Sequence, residues 1–559
     1  MRSCRSLPIN DGLSQPLTII WQDETIITTA IPQITDDFKS INDIGWYGSA
    51  YFMTFASFQL IYGKLYTCFS IKNVFLSSIA IFEAGSLICA TAPNSPAFIT
   101  GRAIAGLGSA GINAGFIIIL AASLPLHRRP LFVSSYSGMY GVAAVAAPLL
   151  GGVFTTKATW RWCFYINLPI GGAAVLAMAL FFHPPARNPL SPTTLTFRET
   201  ISQMDLPGTA VLVPGIVCLI LALQWGGAVY DWSDFRVLVP LVAAGVLLGL
   251  VFVGIQVWRG DYATVPPRII SQRSVACSTV YVFCAGGALN VLQYFLPLYF
   301  QALASLSPLA SGYHILPTTL STVLFSLVAG YGVAKTGYYT PFMIAGSLLL
   351  VLSTALIATA WSSTSSAASS LDPAKWITHQ LLFGAGAGLG IQQAHTAAQT
   401  VLSDADVPTG AVVLIFAQIL GGTVWVSVAQ NVLAGRLLRG LLDIPGIMTI
   451  PGLLDGRGRL LDVGATGLRG LVEAAGGDVG KVLEAYGSSW RGSVLVAVGL
   501  ATGAAVAGGG MEWRSIKEKG KNVVLEGSVD EGADGEEKGG EEKGVQELMG
   551  GNEKDVKVR

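Results

Sequence analysis

The sequence predicts an all-α polytopic membrane protein, and three observations support this fold class. Of the 559 residues, 52% are hydrophobic and only 12% are charged, whereas a soluble domain carries about 25% charged residues. The mean hydropathy is +0.57. Many uncharged runs also reach the length of roughly 20 residues that a helix needs to cross a bilayer. These features argue against ordinary soluble domains, and the absence of a basic tract argues against a nucleic-acid partner.

The hydrophobic runs predict about fourteen transmembrane helices. The first is the weakest, because only the short run Leu17–Trp21 precedes the polar Gln22, Asp23 and Glu24. In chain order, the predicted spans cover residues 17–34, 44–65, 73–92, 97–121, 131–154, 162–183, 206–226, 236–257, 275–301, 309–334, 340–361, 376–400, 408–434 and 489–510.

Lysine and arginine are more frequent in the loops that follow even-numbered spans, which predicts a cytoplasmic N-terminus. Residues 1–16 would then be a cytoplasmic segment and 435–488 an external loop. The tail 511–559 contains "GSVDEGADGEEKGGEEKG" and predicts a disordered, acidic, cytoplasmic segment. We expect a multi-pass protein of the plasma membrane, with a vacuolar or vesicle membrane as the alternative.

One motif resembles a nucleotide-binding site but lacks the features that such a site requires. Gly106–Gly111 spells G-x-G-x-x-G, the fingerprint of a dinucleotide-binding turn. That turn requires an acidic residue about 20 positions later, and no Asp or Glu lies between Glu83 and Glu199. The apolar run also continues to Leu124 without a turn signal. We therefore predict no nucleotide and no organic cofactor, and the scattered cysteines show no metal-ligand spacing.

Four ionisable residues within the predicted spans stand out as candidate functional groups, because charges at membrane depth are costly. They are Asp23, Glu83 and Arg102, with Glu24 as a lesser candidate because it points about 100° away from Asp23 on a helix. Arg102 cannot release its proton and therefore needs an acidic or carbonyl partner. Because no acid follows it before Glu199, a carboxylate partner in this half must lie upstream, and Asp23 is the predicted one.

The order of several motifs resembles the major facilitator superfamily, and more narrowly its fungal 14-span drug:proton antiporters. "QDETIITTAIPQI", "GRAIAGLGSAG" and "GMYGVAAVAAPLLGG" are similar to the family motifs of the first, fourth and fifth helices. "GKLYTCFSIKNVF" occupies the loop between helices two and three. This chain departs from the family in having Ala147 before Pro148, where the motif has glycine, and Thr67 where the loop motif has aspartate. Its first helix is also short.

The resemblance implies a major facilitator fold, with two six-helix bundles and two extra helices between them. The bundles would cover residues 17–183 and 275–510, the second including the loop 435–488. Residues 184–274 would form the linker with the two extra spans.

The resemblance also implies a non-enzymatic function, the export of drug-like or toxic small molecules coupled to the proton gradient. Asp23 would carry the proton with Arg102 as its electrostatic partner, although a structural helix–helix hydrogen bond is the plainer alternative for Asp23. Glu83 is a second candidate for coupling, and a packing hydrogen bond suits it equally. The partners would be protons, an amphipathic substrate and the lipid bilayer, and the protein would act as a monomer.

Further residues are assigned by motif or by polarity. The bend of the fifth helix, implied to block a proton leak, would use Gly138, Gly141, Pro148, Gly151 and Gly152. The gating loop would use Gly63, Lys64 and Lys72. Candidates for the substrate cavity are polar or aromatic residues inside spans, which could equally join helices: Gln59, Asn113, Gln293, Tyr294, Tyr299, Gln393 and His395.

Two other functions remain open from the sequence alone. One is a uniporter or importer of a nutrient or iron chelate. The other is a transporter-like sensor or scaffold that moves nothing and signals through its acidic tail.

Overall fold

The computed structural model describes most of the chain, and the described part is largely helical. It covers residues 43–124, 157–182, 204–227, 230–304, 306, 308–361, 373–403, 405–444 and 479–517, with isolated positions between 23 and 38 and between 129 and 155. The predicted first and fifth spans are therefore represented only by isolated helical positions.

The helices follow one another with no strand longer than an isolated bridge in these stretches. Their bounds are α1 Ile44–Cys68, α2 Ile71–Thr91, α3 Ser95–Ser123, α4 Trp162–Tyr165, α5 Asn167–Phe181, α6 Leu206–Trp225, α7 Phe235–Ala244, α8 Val253–Arg259, α9 Pro267–Ile270, α10 Arg273–Ala302, α11 Pro308–Thr336, α12 Thr340–Ala360, α13 Pro373–Val401, α14 Val407–Leu442 and α15 Val479–Gly509. Between α7 and α8 the segment Gly245–Phe252 is π-helical, so these pieces form one continuous span.

Ten helices of the described part are long and apolar enough to cross a membrane. They are Ile71–Thr91, Ser95–Ser123, Trp162–Leu180, Leu206–Trp225, Phe235–Tyr262, Arg273–Ala302, Ala310–Thr336, Thr340–Ala360, Val407–Leu442 and Val479–Gly509. Helices α1 and α13 have 25 and 29 residues and are not among these ten. Nearly every residue of α13 from Phe383 to Thr400 is buried, so this part of the helix lies in the protein interior. The total of fourteen stays a prediction.

The helices form two bundles, each with a hydrophobic core. In the first, α1, α2 and α3 bury large apolar residues such as Phe75, Phe82 and Phe116. In the second, α10 to α15 bury a larger cluster that includes Tyr281 and Trp490. The described architecture is all-α, as the hydrophobic runs predict.

The two bundles touch where α1 ends and α14 begins. A β-carbon at Gly63 would lie 3.2 Å from Cγ1 of Val412, and Val412 shares a core cluster with Phe116 of the first bundle. Residues 410–415 of α14 are buried, whereas 423–428, two turns further, are only half-buried. The bundles therefore close on each other at this end of the molecule.

The two extra spans, α6 and α7–α8, are joined at one end by a buried carboxylate. Asp205 precedes α6 and accepts hydrogen bonds from Gly208 N at 2.9 Å, Gln256 Nε2 at 2.8 Å and Thr264 N at 3.0 Å. Burial alone raises the pKa of the Asp205 carboxyl, but these bonds together lower it below its ordinary value. The ionised carboxylate thus holds α6, α8 and the following segment together.

The predicted external loop 435–488 is too long at both ends. Helix α14 continues to Leu442, and α15 begins at Val479 rather than near 489. The added first turns of α15 are amphipathic and bury Val482 and Tyr486 against the second bundle. A search for hydrophobic runs misses such turns because they pack on protein rather than on lipid.

The predicted disordered tail also begins too early. The segment Met511–Lys517, here called the strap, packs against the second bundle, and Met511 and Ile516 are each 2% exposed. Ile516 N donates to Gly337 O at 3.0 Å, and Tyr339 Oη donates to Glu512 O at 3.2 Å. The described chain therefore stays packed seven residues past the predicted boundary, and the rest of the tail lies outside the described residues.

Candidate functional site

A buried ion pair lies inside the first bundle, about two turns from the start of α3. Arg102 Nη1 donates to Asp23 Oδ2 at 2.5 Å, and each side chain is only 1% exposed. Arg102 Nε also donates to the carbonyl of Tyr47 at 3.0 Å, and the guanidinium lies 4.4 Å from the centroid of the Tyr51 ring. The predicted partners are thus in contact. Their role in proton coupling stays a prediction.

The glycines of α3 bring Arg102 into this position. Asn94 begins the helix by accepting a hydrogen bond from Ala97 N at 3.0 Å, and the helix runs without a turn through Gly106–Gly111. A β-carbon at Gly106 would overlap the backbone of Tyr51, and one at Gly108 would lie 2.7 Å from Cα of Phe82. The glycines therefore allow α1 and α2 to approach closely, and the stretch forms no phosphate-binding turn.

Asn167 completes the site and is a functional residue that the sequence did not predict. Its side chain is fully buried. Asn167 Nδ2 donates to Asp23 Oδ1 at 3.3 Å and to Ser86 Oγ at 3.2 Å. The sequence did contain one indication, because Asn167 is an amide inside the apolar run 162–181. A polar group inside a span usually has a polar partner. The hydrogen bond from Arg102 to the Tyr47 carbonyl could not be predicted, because a backbone carbonyl is present at every residue and leaves no mark in the sequence.

Glu83 lies on α2 beside the same site. Both carboxyl oxygens are buried and have no hydrogen-bond partner among the described residues. The carboxyl group packs against the backbone of Gly171 on α5, and Asp23 lies within electrostatic range. The plainer alternative for Glu83 is a packing hydrogen bond, but the described structure shows no hydrogen bond to its carboxyl group.

The gating-loop residues lie at the end where the bundles meet. Gly63 contacts Val412 across the two bundles. Lys72 Nζ donates to Ala179 O at 2.7 Å and to Phe182 O at 3.0 Å, so it ties α2 to the end of α5. Lys64 is partly exposed on the last turns of α1. These positions suit a gate, which remains a prediction.

The residues of the predicted helix bend are described only in part. Gly138 and Gly141 face Val323 of α11, and the Gly151 carbonyl accepts a hydrogen bond from Thr155 Oγ1 at 2.8 Å. Pro148 and Gly152 lie outside the described residues. The fifth span therefore contacts the second bundle, and its bend stays a prediction.

The candidate cavity residues separate into two groups. Gln59 and Gln393 are fully buried, and neither amide has a partner among the described residues. His395 Nε2 lies 3.4 Å from Gln418 Oε1, and Asn113 is buried on α3. These four remain candidates for a polar site.

The second group is Tyr299, Tyr294 and Gln293, whose cavity roles stay predictions. Tyr299 packs between Trp361 and Trp490, with ring centroids 5.0 and 4.6 Å away. The ring is thus part of an aromatic cluster, and its cavity role stays a prediction. Tyr294 is 51% exposed, and Gln293 is half-buried.

Two bundles of membrane-length helices, the first of which encloses a buried ion pair, form the architecture of a secondary transporter. The chain belongs to the major facilitator superfamily, whose family model matches residues 17–429. It is a multi-pass membrane transporter and not an enzyme.

Relatives and solved structures agree with this assignment. The chain is 44% identical to the MFS-type transporter VdtG of Byssochlamys spectabilis, over 89% of this chain and 85% of that protein. It is 43% identical to the MFS-type efflux pump MFS1 of Arthroderma benhamiae, over 91% of both. The structure of the human organic anion transporter MFSD10 (TETRAN) aligns with a TM-score of 0.53 at 15% identity, over 88% of this chain and 99% of that one. The resemblance to fungal transporters of this superfamily is thus confirmed.

Proposed function

We propose that the protein is a proton-coupled antiporter that exports amphipathic small molecules, either xenobiotics or fungal secondary metabolites, by alternating access. The observation that carries the proposal is the buried Asp23–Arg102 pair, which Asn167 joins as a third partner. A carboxylate at this depth is a group that can gain and lose a proton, and its charge decides whether Arg102 is paired.

The proposed coupling follows from this pair. While Asp23 is ionised, Arg102 binds it and the site is closed by an ion pair. Protonation removes the charge that Arg102 binds, so the guanidinium becomes available to other partners. Proton binding and substrate binding to the first bundle would then compete with each other. The proton gradient would supply the energy, and no cofactor would be needed.

From α10 to the middle of α14, the second bundle offers polar groups that are almost all uncharged. Between Ala276 and Ala434, its described helices contain no Asp, Glu, Lys or Arg except Lys335 and Lys375 near helix ends. The buried Gln393 and His395 can still form hydrogen bonds. Apolar walls with a few polar groups suit an amphipathic ligand, which supports this substrate class.

The contact between the bundles supports alternating access. On the predicted orientation, the closed end around Gly63 and Val412 is cytoplasmic, so a central site would open to the outside in this state. A relative that is 43% identical is named an efflux pump, which supports export over import.

Purified protein in liposomes with an imposed pH gradient tests the proposal. Accumulation of a fluorescent amphipathic substrate that requires acid on the opposite side of the membrane is the expected result. Flux that ignores the gradient would instead identify a uniporter. No flux with any tested amphiphile, from protein that is folded and inserted, would favour a sensor or scaffold.

Replacing Gln393 with leucine should impair transport without lowering stability. The Gln393 amide is buried without a partner in the described structure, so its removal relieves a cost of about 1–3 kcal/mol. We expect an unchanged or higher melting temperature together with a higher KM for the substrate.

Gln380→Leu is the matched control. Gln380 is equally buried but accepts from Thr318 Oγ1 at 2.9 Å and donates to His314 O at 2.9 Å. Its removal should lower the melting temperature. Equal destabilisation by the two variants would contradict the assignment of Gln393 to a ligand site.

A further inference from the structure

Glu83 is a half-buried residue whose carboxyl oxygens are both buried, and no described donor stabilises them. Both of its oxygens are enclosed, and neither has a hydrogen-bond partner among the described residues. An ionised carboxylate in such surroundings costs much more than a neutral one, because it loses its hydration without compensation. The geometry therefore favours the protonated form of Glu83.

The unpartnered carboxyl lies one helical turn from the ion-pair site on both helices that enclose it. On α2, Ser86 follows Glu83 by three positions, which places the two side chains on one face. On α5, Gly171, which packs against the Glu83 carboxyl, follows Asn167 by four positions. Glu83 thus continues the chain of polar groups that begins at Asp23.

Asn167 has an unused acceptor in the same place. Its Nδ2 donates to Asp23 and to Ser86, but its Oδ1 is buried without a hydrogen bond in the described structure. A protonated carboxyl is a donor that lacks an acceptor, and Asn167 Oδ1 is an acceptor that lacks a donor. Both residues pack at the contact between α2 and α5, Glu83 against Gly171 and Asn167 against Ser86.

The charges of the cluster balance only with one bound proton. The titratable groups that face it from the described elements are Asp23 of the first span, Tyr51 of α1, Glu83 and Cys89 of α2, Arg102 of α3 and Cys163 of α4. Thiols and phenols are neutral near pH 7, which leaves two acids against one permanent cation. The cluster is neutral when one of the two acids is protonated.

We infer that Glu83 holds this proton while Asp23 is paired with Arg102, and that the two acids exchange it. In the exchange the O–H bond of Glu83 breaks and one forms on Asp23, so the total charge is unchanged. The Ser86 hydroxyl, one turn from Glu83 and bonded to Asn167, can accept and donate a proton at once. Glu83 thereby becomes an internal proton donor for the coupling site. This inference rests on the proposed proton coupling of Asp23.

Infrared spectroscopy tests the protonation state without any transport assay. The folded protein at pH 7 should show the carbonyl band of a buried protonated carboxylic acid, and Glu83→Gln should remove it. Glu484→Gln, which changes an exposed acid of α15, should leave the band in place. A wild-type spectrum without the band, or a band that persists in E83Q, would overturn the inference even if export is proton-coupled.

Liposome transport then tests the exchange. In E83Q, pH-driven export should fall by about a hundredfold or more, the range for loss of a positioned proton-transfer group. Ser86→Ala should slow it less, because water can replace a hydroxyl. If the wild type exports in a pH-dependent manner and E83Q matches it, the inference fails while the proposed function stands. If the wild type shows no pH dependence, the proposed function itself fails.

Discussion

Export driven by a pH gradient should fall to the background of empty liposomes when Asp23 is replaced by asparagine. Asparagine has nearly the same size and can still accept hydrogen bonds from Arg102 and Asn167, but it cannot carry a proton. Arg102 also keeps the Tyr47 carbonyl and the Tyr51 ring as partners, so the variant should remain folded. The measurement is substrate accumulation in liposomes of matched protein content.

Asp443→Asn provides the control for this change, because Asp443 is exposed at the end of α14. It should export like the wild type. Undiminished pH-driven export by D23N, with the protein correctly inserted, would mean that Asp23 is only a structural partner of Arg102.

Adding one methyl group at Gly108 should destabilise the first bundle. The β-carbon of an alanine would lie 2.7 Å from Cα of Phe82 on α2, and a backbone atom cannot rotate away. Overpacking of this kind costs about 1–3 kcal/mol. We expect Gly108→Ala to lower the melting temperature of the detergent-solubilised protein and to reduce export, because α3 carries Arg102.

Gly172→Ala is the matched substitution in the same bundle. An added β-carbon there has nothing within 4 Å, and alanine is favoured over glycine in a helix by about 1 kcal/mol. Its melting temperature should be unchanged or higher. If G108A and G172A had the same melting temperature, close packing at Gly108 would not limit the stability of the bundle.

Much of the fold follows from hydrophobic runs, because a bilayer requires long apolar helices whatever their tertiary contacts. The pairing of Asp23 with Arg102 was also accessible, since a buried arginine needs an acid and the chain offers none downstream before Glu199. Asn167 was not recognised, because an amide inside an apolar run does not identify its partner. The first turns of α15 were missed because they pack on protein and carry charged residues.

The cavity residues show the same limit. Gln393 and Tyr299 look alike in sequence, as polar groups in apolar spans, but Tyr299 packs between two tryptophans. Only the three-dimensional neighbours separate an amide without a partner from a ring in a packed cluster.

The strap Met511–Lys517 determines the position at which a C-terminal fusion partner can be attached to this protein. A fluorescent reporter or affinity tag attached directly after Gly509 would remove Ile516 from its buried position and take the Glu512 carbonyl away from Tyr339 and Thr340. The same tag placed after Lys517 leaves every described contact of the second bundle intact. The useful end of the chain for fusion and truncation is therefore set by the strap and not by the last membrane helix.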